Sequence, residues 1–573
     1  MRDLLEILSG ELKRGFREAG YDDERVTVTV SNRPDLCEYQ CNGAMALARD
    51  AHKAPFVIAE EVVEKIRGSE YFSKAECVKP GFINLNISAP FLAAYLSEEA
   101  EADKFGLETE QPEKVVVDYG GPNVAKPLHI GHLRAAIIGE AVKRLSKYMG
   151  NDTLGDIHMG DWGLQMGLII AEMQERGMDH LPSLDELSEI YPAASERSKS
   201  DEAYKTRAMD ITFELQHGNE EYLKIWRHIM DISVGDLKQN YDKLNVSFEI
   251  WKGEADADPY IGPMVERMKQ EGYAYESQGA LVVDVTRETD SKEIPPCMIL
   301  KSDGASLYTT TDLATLVQRQ EDYSPDAVIY VVDKRQDLHF EQVFRAAKKC
   351  GIVPEDTRLS FLGFGTMNGS DGKPFKTRSG GVMRLEMLLD EVYEKCLERM
   401  KQGGADIPEE EINDIAGKIA LAAIKYGDLS NEARKDYVFD IDKFTAFEGN
   451  TGPYILYTMV RIKSILRKYR ENGGNPDAAK LLPPANGIEK ALMMTLAGFV
   501  PMLRGAWNDL APHRICAYIY QTANDLNKFY HETKILVEED KDRQGSYIAL
   551  ITMTLRILET AVDILGFEAP EMM

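Results

Sequence analysis

Three consecutive valines, Val115 to Val117, lead through Asp118 and Tyr119 into Gly120-Gly121-Pro122, and an apolar helical rhythm then starts near Gly131 and lasts to about Tyr148. A β-branched run of this kind reads as a buried parallel strand. A strand that feeds a glycine turn and then a helix aims backbone N–H groups and the positive helix end at one place. His129 and His132 stand three apart, which predicts a shared face on the first helical turn, and Lys126 precedes them. Three potential cations at a helix N-terminus suit a polyphosphate. Histidines at this spacing also arise by chance, and glycines are common at strand–helix turns. Spacing alone therefore leaves a phosphate site and an incidental pair both open.

The longer string narrows the choice. Asp118-Tyr119 is followed by Pro122-Asn123, Ala125-Lys126-Pro127, and then His129-Ile130-Gly131-His132-Leu133-Arg134. This resembles the first signature of class I aminoacyl-tRNA synthetases, and in its full length the arginyl-tRNA synthetase family. The resemblance implies a multidomain α/β chain. A Rossmann-type class I catalytic domain is expected over 113–405, with an insertion at about 171–300. An appended N-terminal α/β domain is expected over 1–110 and an all-helical anticodon-binding domain over 408–573. Residues 99–112 read as a charged linker, broken at Gln111-Pro112.

In the N-terminal part, helical patterns cover roughly 1–19 and 58–67, and residues 26–30 and 81–87 alternate like strands. Residues 38–45 read as the opening of another helix. Gln40-Cys41-Asn42 and Lys79-Pro80-Gly81-Phe82-Ile83-Asn84 are similar to the family domain that meets the D-loop at the tRNA corner. By motif position Phe82 would stack on a base and Asn84 would hydrogen-bond to it, with Lys79 nearby. Packing within a core is the equal alternative for each.

Within the catalytic region, Gly160-Asp161-Trp162-Gly163 resembles a turn lining the amino-acid side of the family site, and Trp251-Lys252-Gly253-Glu254 loosely matches a segment whose glutamate faces substrate. Tyr308 and Asp312 stand four apart and share a helix face. Residues 327–332 read as a strand, followed by Asp333 to Phe340, and polar residues past a parallel strand's carboxyl end are where α/β folds bind ligands. The glycine-rich stretch 365–381 holds Lys373, Lys376 and Arg378. It resembles a degenerate form of the second class I signature, with Pro374-Phe375 where Met-Ser is usual. The family implies arginine contacts from Asp118, Asn123, His129, Glu254, Tyr308, Asp312 and Gln336. It implies ATP contacts from Lys126, His129, Gly131, His132, His339, Lys373 and Lys376, of which Lys126, both histidines and the two loop lysines would carry the chemistry. A guanidinium is a planar fork suited to carboxylates and to stacking on Tyr308.

Beyond 408 the pattern is helical. The helix from about Tyr454 to Tyr469 carries Arg461, Lys463, Arg467 and Lys468, followed by Arg470, beside Tyr454 and Tyr457. A solvated face is the common meaning of such a run, and bases stacked among aromatics and cations are the other. By motif, Tyr454, Tyr457, Arg461 and the terminal Met573 match anticodon-loop contacts of the family.

Composition bounds these readings. The formal charge is −28, so tRNA binding would need locally concentrated basic residues. Seven scattered cysteines with no CxxC spacing predict neither a zinc nor a disulfide framework and point to a reducing cytoplasm. No apolar run approaches a membrane span. The expected partners are tRNA-Arg, L-arginine and ATP with Mg2+, with no membrane, no protein-ligated metal, and a monomeric enzyme. The alternatives are another class I synthetase, for glutamine, glutamate or cysteine; a nonenzymatic tRNA-binding descendant; and an HxGH nucleotidyltransferase. The helical C-terminus and the Tyr308–Asp312 segment favour arginine, the retained histidines and lysines favour an enzyme, and the two flanking domains disfavour the third.

Overall fold

The computed structural model describes residues 2–109, 111–369, 372–373, 383–402 and 408–573. At its centre lie β5 (Lys114–Tyr119), β6 (Asp152–Met159), β7 (Ile250–Gly253), β11 (Ala327–Asp333) and β12 (Arg358–Phe364), in the order β12-β11-β5-β6-β7, all parallel. Val115, Val116 and Val117 have no exposure, as a strand covered on both faces requires. The chain leaves β5 for β6 on one side and returns through β11 on the other. That reversal opens a crevice at the carboxyl ends of the strands.

The region expected as a single insertion at 171–300 is divided. Helices Leu184–Ser200, Glu202–Gln216 and Glu220–Lys243 come first, then β7 rejoins the parallel sheet. After it, β8 (Ala274–Ser277), β9 (Ala280–Val283) and β10 (Cys297–Leu300) form a separate antiparallel sheet. β7 has only four residues, too short for periodicity to mark it.

The N-terminal unit is an antiparallel sheet in the order β1-β2-β4-β3, made of β1 (Val28–Val30), β2 (Tyr39–Cys41), β3 (Phe72–Val78) and β4 (Phe82–Ile87). Helices Leu4–Glu18 and Pro55–Lys65 pack against each other, and Asp3 and Glu6 close a reciprocal cap on the first. Residues 38–45 are a strand followed by the short helix Gly43–Leu47, not one helix opening. The expected linker is also more ordered than its charge suggested. Helix Ala89–Glu101 enters it, and Phe105 is buried edge-on against Phe499 of the C-terminal bundle, 5.2 Å between ring centres.

Helices Glu409–Leu429, Gly452–Glu471, Gly487–Leu496, Phe499–Asn508, Pro512–Glu532 and Lys541–Ile564 form the C-terminal bundle. Lys490 ties it to the N-terminal unit, pairing with Glu38 at 2.5 Å and donating to the Ile87 carbonyl at 2.9 Å. Arg134, on the helix after β5, is buried and joins the bundle to the sheet: it donates to Asp428 at 3.0 Å and to the Gly365 carbonyl at 2.7 Å. Among the described residues no helix is long and apolar enough to cross a membrane.

Candidate active site

The loop from Gly120 to His132 rises from the carboxyl end of β5. Gly120 has φ +71°, which glycine adopts without a steric penalty. Ala125 takes φ +62°, and its N–H donates to Ser233 Oγ at 3.1 Å. A 3₁₀ turn spans Ile130–His132, and the α-helix proper begins at Leu133. His129 therefore precedes the helix instead of sharing its first face with His132. The two rings stack, 3.9 Å between centres. A β-carbon on Gly131 would meet the His129 ring at 2.7 Å, so a side chain at 131 would push that ring out of place.

Hydrogen bonds fix the tautomers of both imidazoles. Gly131 N–H donates to His129 Nδ1 at 3.0 Å, and His129 N–H donates to His132 Nδ1 at 3.1 Å. Each neutral ring then carries its proton on Nε2. Burial, reinforced by the neighbouring His129, holds the His132 pKa down to about 3; burial and Lys126 lower that of His129. This corrects the expectation of three cations. The turn offers two neutral N–H donors and one ammonium, Lys126, whose Nζ lies 4.3 Å from the centre of the Tyr191 ring.

The chain following residue 382 returns to this turn. Ile130 N–H donates to the Met383 carbonyl at 3.1 Å, Leu385 N–H to the Leu128 carbonyl at 2.9 Å, and His129 and Arg384 form a bridge. Gly369 N–H donates to the Lys373 carbonyl at 2.8 Å. Lys376 and Arg378 lie outside the described residues.

Across the crevice is an acidic group. Glu254 opens the helix after β7, where Asp161 Oδ1 accepts from Ala255 N–H at 3.2 Å. Asp161 is buried, its carboxyl pushed up to about 7 by burial, and it positions that helix end. Burial also raises Glu254, with His158 opposing and Asp312 adding to the rise. Asp312 accepts from His339 Nε2 at 2.6 Å, so a residue expected at the amino acid and one expected at ATP meet as a pair. Tyr308 heads the Tyr308–Asp322 helix, is 76 % exposed, and senses both Glu254 and Tyr191. Asn123 bridges Gly160, and Gln336 is exposed just beyond β11.

Asp118 departs from expectation. Its Oδ2 accepts from Arg319 Nη2 at 2.5 Å, so only its other oxygen is open to a guanidinium. Burial raises its carboxyl and Arg319 pulls the other way. Tyr191 and Arg319 were missed in the sequence. The signal available for Arg319 was the seven-residue spacing from Asp312 to Arg319 on one helix face. Among the described residues no group of three or more His, Cys, Asp or Glu side chains is placed to hold a metal.

The outer surfaces sort the remaining candidates. Asn84 is only 6 % exposed and accepts from Gln40 Nε2 at 2.9 Å, whereas Phe82 is partly exposed. Arg461 lies between Tyr457 and Tyr530, its guanidinium 4.8 and 5.2 Å from the ring centres. Asn527 accepts from Arg461 and donates to the Tyr454 hydroxyl at 2.7 Å. Tyr530, also missed, is 39 % exposed and Tyr457 42 %. Lys463 is committed to Glu571 at 2.6 Å and leaves the expected basic run, whereas Arg467, Lys468 and Arg470 are exposed. Met573 packs, partly buried, against the core.

A parallel sheet with an HxGH turn beside its switch point is compatible with class I aminoacyl-tRNA synthetases and other HxGH nucleotidyltransferases, and the family matches decide between them. Residues 94–441 match the model of the class I (R) tRNA synthetase catalytic domain, 455–573 that of the DALR anticodon binding domain, and 2–87 that of the arginyl tRNA synthetase N terminal domain. The chain is 54 % identical to an arginine–tRNA ligase of Agathobacter rectalis and 50 % identical to one of Alkaliphilus oremlandii, each alignment covering both chains completely. It superimposes on the crystal structure of arginyl-tRNA synthetase from Plasmodium falciparum with a TM-score of 0.84 at 23 % identity, over the full length of both. The chain belongs to the arginyl-tRNA synthetase family.

Proposed function

We infer that the protein is an arginine–tRNA ligase that takes MgATP, L-arginine and tRNA-Arg. The observation that supports the reading is that Glu254 and Asp312 act on each other, Glu254 acts on Tyr308, and Tyr308 also meets Tyr191, whose ring carries Lys126 of the His129–His132 turn 4.3 Å from its centre. Carboxylates and an aromatic face recognise a guanidinium, and N–H donors with an ammonium recognise phosphate.

In the first step the arginine carboxylate attacks the α-phosphorus of ATP and pyrophosphate leaves. In the second a ribose hydroxyl of the terminal adenosine attacks the arginyl-adenylate carbonyl, and AMP leaves. The carboxylate is already a nucleophile, so the protein's task is placement and charge stabilisation. Neutral His129 and His132 donate through Nε2 to phosphate oxygens, and Lys126 supplies the full charge. The Asp312–His339 pair links the amino-acid and nucleotide halves of the site, with Asn123 and Gln336 at its rim. Lys373 and Lys376 extend the phosphate clamp. Arg461 with Tyr454, Tyr457 and Tyr530 forms a stacking surface for unpaired bases, and Phe82 forms a second on the N-terminal domain. All seven cysteines are free and six are buried, which supports a reducing compartment such as the cytoplasm.

Exchange of labelled pyrophosphate into ATP, run with tRNA and each amino acid in turn, tests the reading. A response to arginine alone is expected, and a response to a different amino acid refutes it.

A further inference from the structure

Three residues on neighbouring strands stand side by side in register: Tyr330 on β11 opposite Asp118 on β5, and Asp118 opposite Asp156 on β6. Arg319, from the Tyr308–Asp322 helix, binds all three. Its Nε and Nη2 both donate to Asp156 Oδ2, at 2.9 and 2.7 Å; Nη2 also donates to Asp118 Oδ2 at 2.5 Å; Nη1 donates to the Tyr330 hydroxyl at 3.1 Å.

The group is closed except at one corner. The side chains of Arg319 and Asp156 are 1 % and 3 % exposed, and that of Asp118 is 14 % exposed. Asp118 Oδ1 makes no hydrogen bond among the described residues. Two carboxylates and one guanidinium leave one net negative charge, and Asp118 is the corner at which it reaches the crevice. His158, two residues beyond Asp156 on β6 and opposite Lys252 on β7, acts on both Asp118 and Glu254. A lone Asp118–Arg319 pair would be neutral and would offer an incoming cation little. Asp156 restores the charge without touching the crevice.

We propose that Arg319 and Asp156 are positioning residues for the amino-acid site: they hold one oxygen of Asp118 and leave the other, with the net charge of the trio, as an acceptor for a cationic planar side chain. The proposal rests on the functional reading above. It assigns specificity to two residues that do not contact the substrate.

The test is pyrophosphate exchange by the full chain at saturating tRNA, comparing wild type with Arg319→Lys and Asp156→Asn, and with citrulline as a neutral competitor shaped like arginine. Removing a charge-assisted contact to Asp118, or the net charge behind it, predicts an arginine KM about tenfold higher in each variant. The KM for ATP and the inhibition constant for citrulline should stay within about twofold, since neither depends on that charge. A merely structural role would move all three together. An arginine KM within about twofold of wild type in a variant with a cooperative thermal transition overturns the proposal. Should both charge variants fail to fold, Tyr330→Phe removes a single hydroxyl contact. It is then expected to raise the arginine KM alone by about threefold, and no change would overturn the proposal. Wild-type exchange that ignores arginine overturns the functional reading itself; wild-type exchange that responds to arginine, with unaltered folded variants, overturns this proposal alone.

Discussion

Glu99 lies on helix Ala89–Glu101, has no exposure, and neither carboxyl oxygen has a hydrogen-bond partner. It acts on the partly buried Tyr518 of the C-terminal bundle, and its helix packs against Gly487–Leu496 of that bundle. Burial pushes its pKa from 4.5 to about 8. Glu99→Gln removes the ionisation and keeps the shape. Below about pH 4.5 both folded and unfolded chains hold the proton, and the substitution should change little. Between 4.5 and 8 the native state keeps a proton that the unfolded chain has released, so wild-type stability falls as pH rises. At about 1.4 kcal/mol per pH unit, the variant should gain roughly 3 kcal/mol at pH 7 and up to about 5 kcal/mol above pH 8. The assay is urea denaturation of both proteins at pH 5, 7 and 8, followed by the near-ultraviolet signal of the end domains. Taking the difference cancels every other titrating group. A wild-type–variant difference that is the same at pH 5 and pH 8 would refute the assignment of Glu99 as a buried neutral acid.

Asp312→Ala removes a carboxylate and its His339 partner contact. It should raise the arginine KM about thirtyfold or more while changing the ATP KM much less, and equal effects would mean a general structural role. Lys126→Ala removes the ammonium from the His129–His132 turn and should lower the exchange rate about a hundredfold, with the melting temperature preserved. Arg461→Ala opens the cation–aromatic stack and should raise the tRNA KM by about five- to thirtyfold, leaving exchange at saturating tRNA intact. The same KM should climb with added salt, because phosphate contacts release counterions.

The sheet and its ligand-binding edge were legible from Val115 to Arg134. Apolar β-branched runs and a glycine turn are local signals, and the crossover of parallel strands follows from them. Candidate residues in continuous motifs, such as His129, His132, Tyr308 and Asp312, could be singled out for the same reason. What sequence could not supply was the partner of each charge. Asp118 looked available until Arg319, about two hundred residues away, was seen holding it. Lys463 looked like part of a basic face until Glu571 took it. The protonation of the histidines was equally hidden, because it depends on a backbone N–H turned toward each Nδ1 and on burial by segments distant in sequence. Asn84 carried the right side chain for a base contact, but strand alternation did not show that Gln40 and the neighbouring strands cover it.

Aminoacylation with total tRNA, ATP and each amino acid separately decides whether this chain is an arginine–tRNA ligase. Arginine alone should become esterified to tRNA, with loss of the product when Asp312 or Lys126 is replaced. Stable charging with any other amino acid, or arginine charging that survives both replacements at wild-type efficiency, would contradict this expectation.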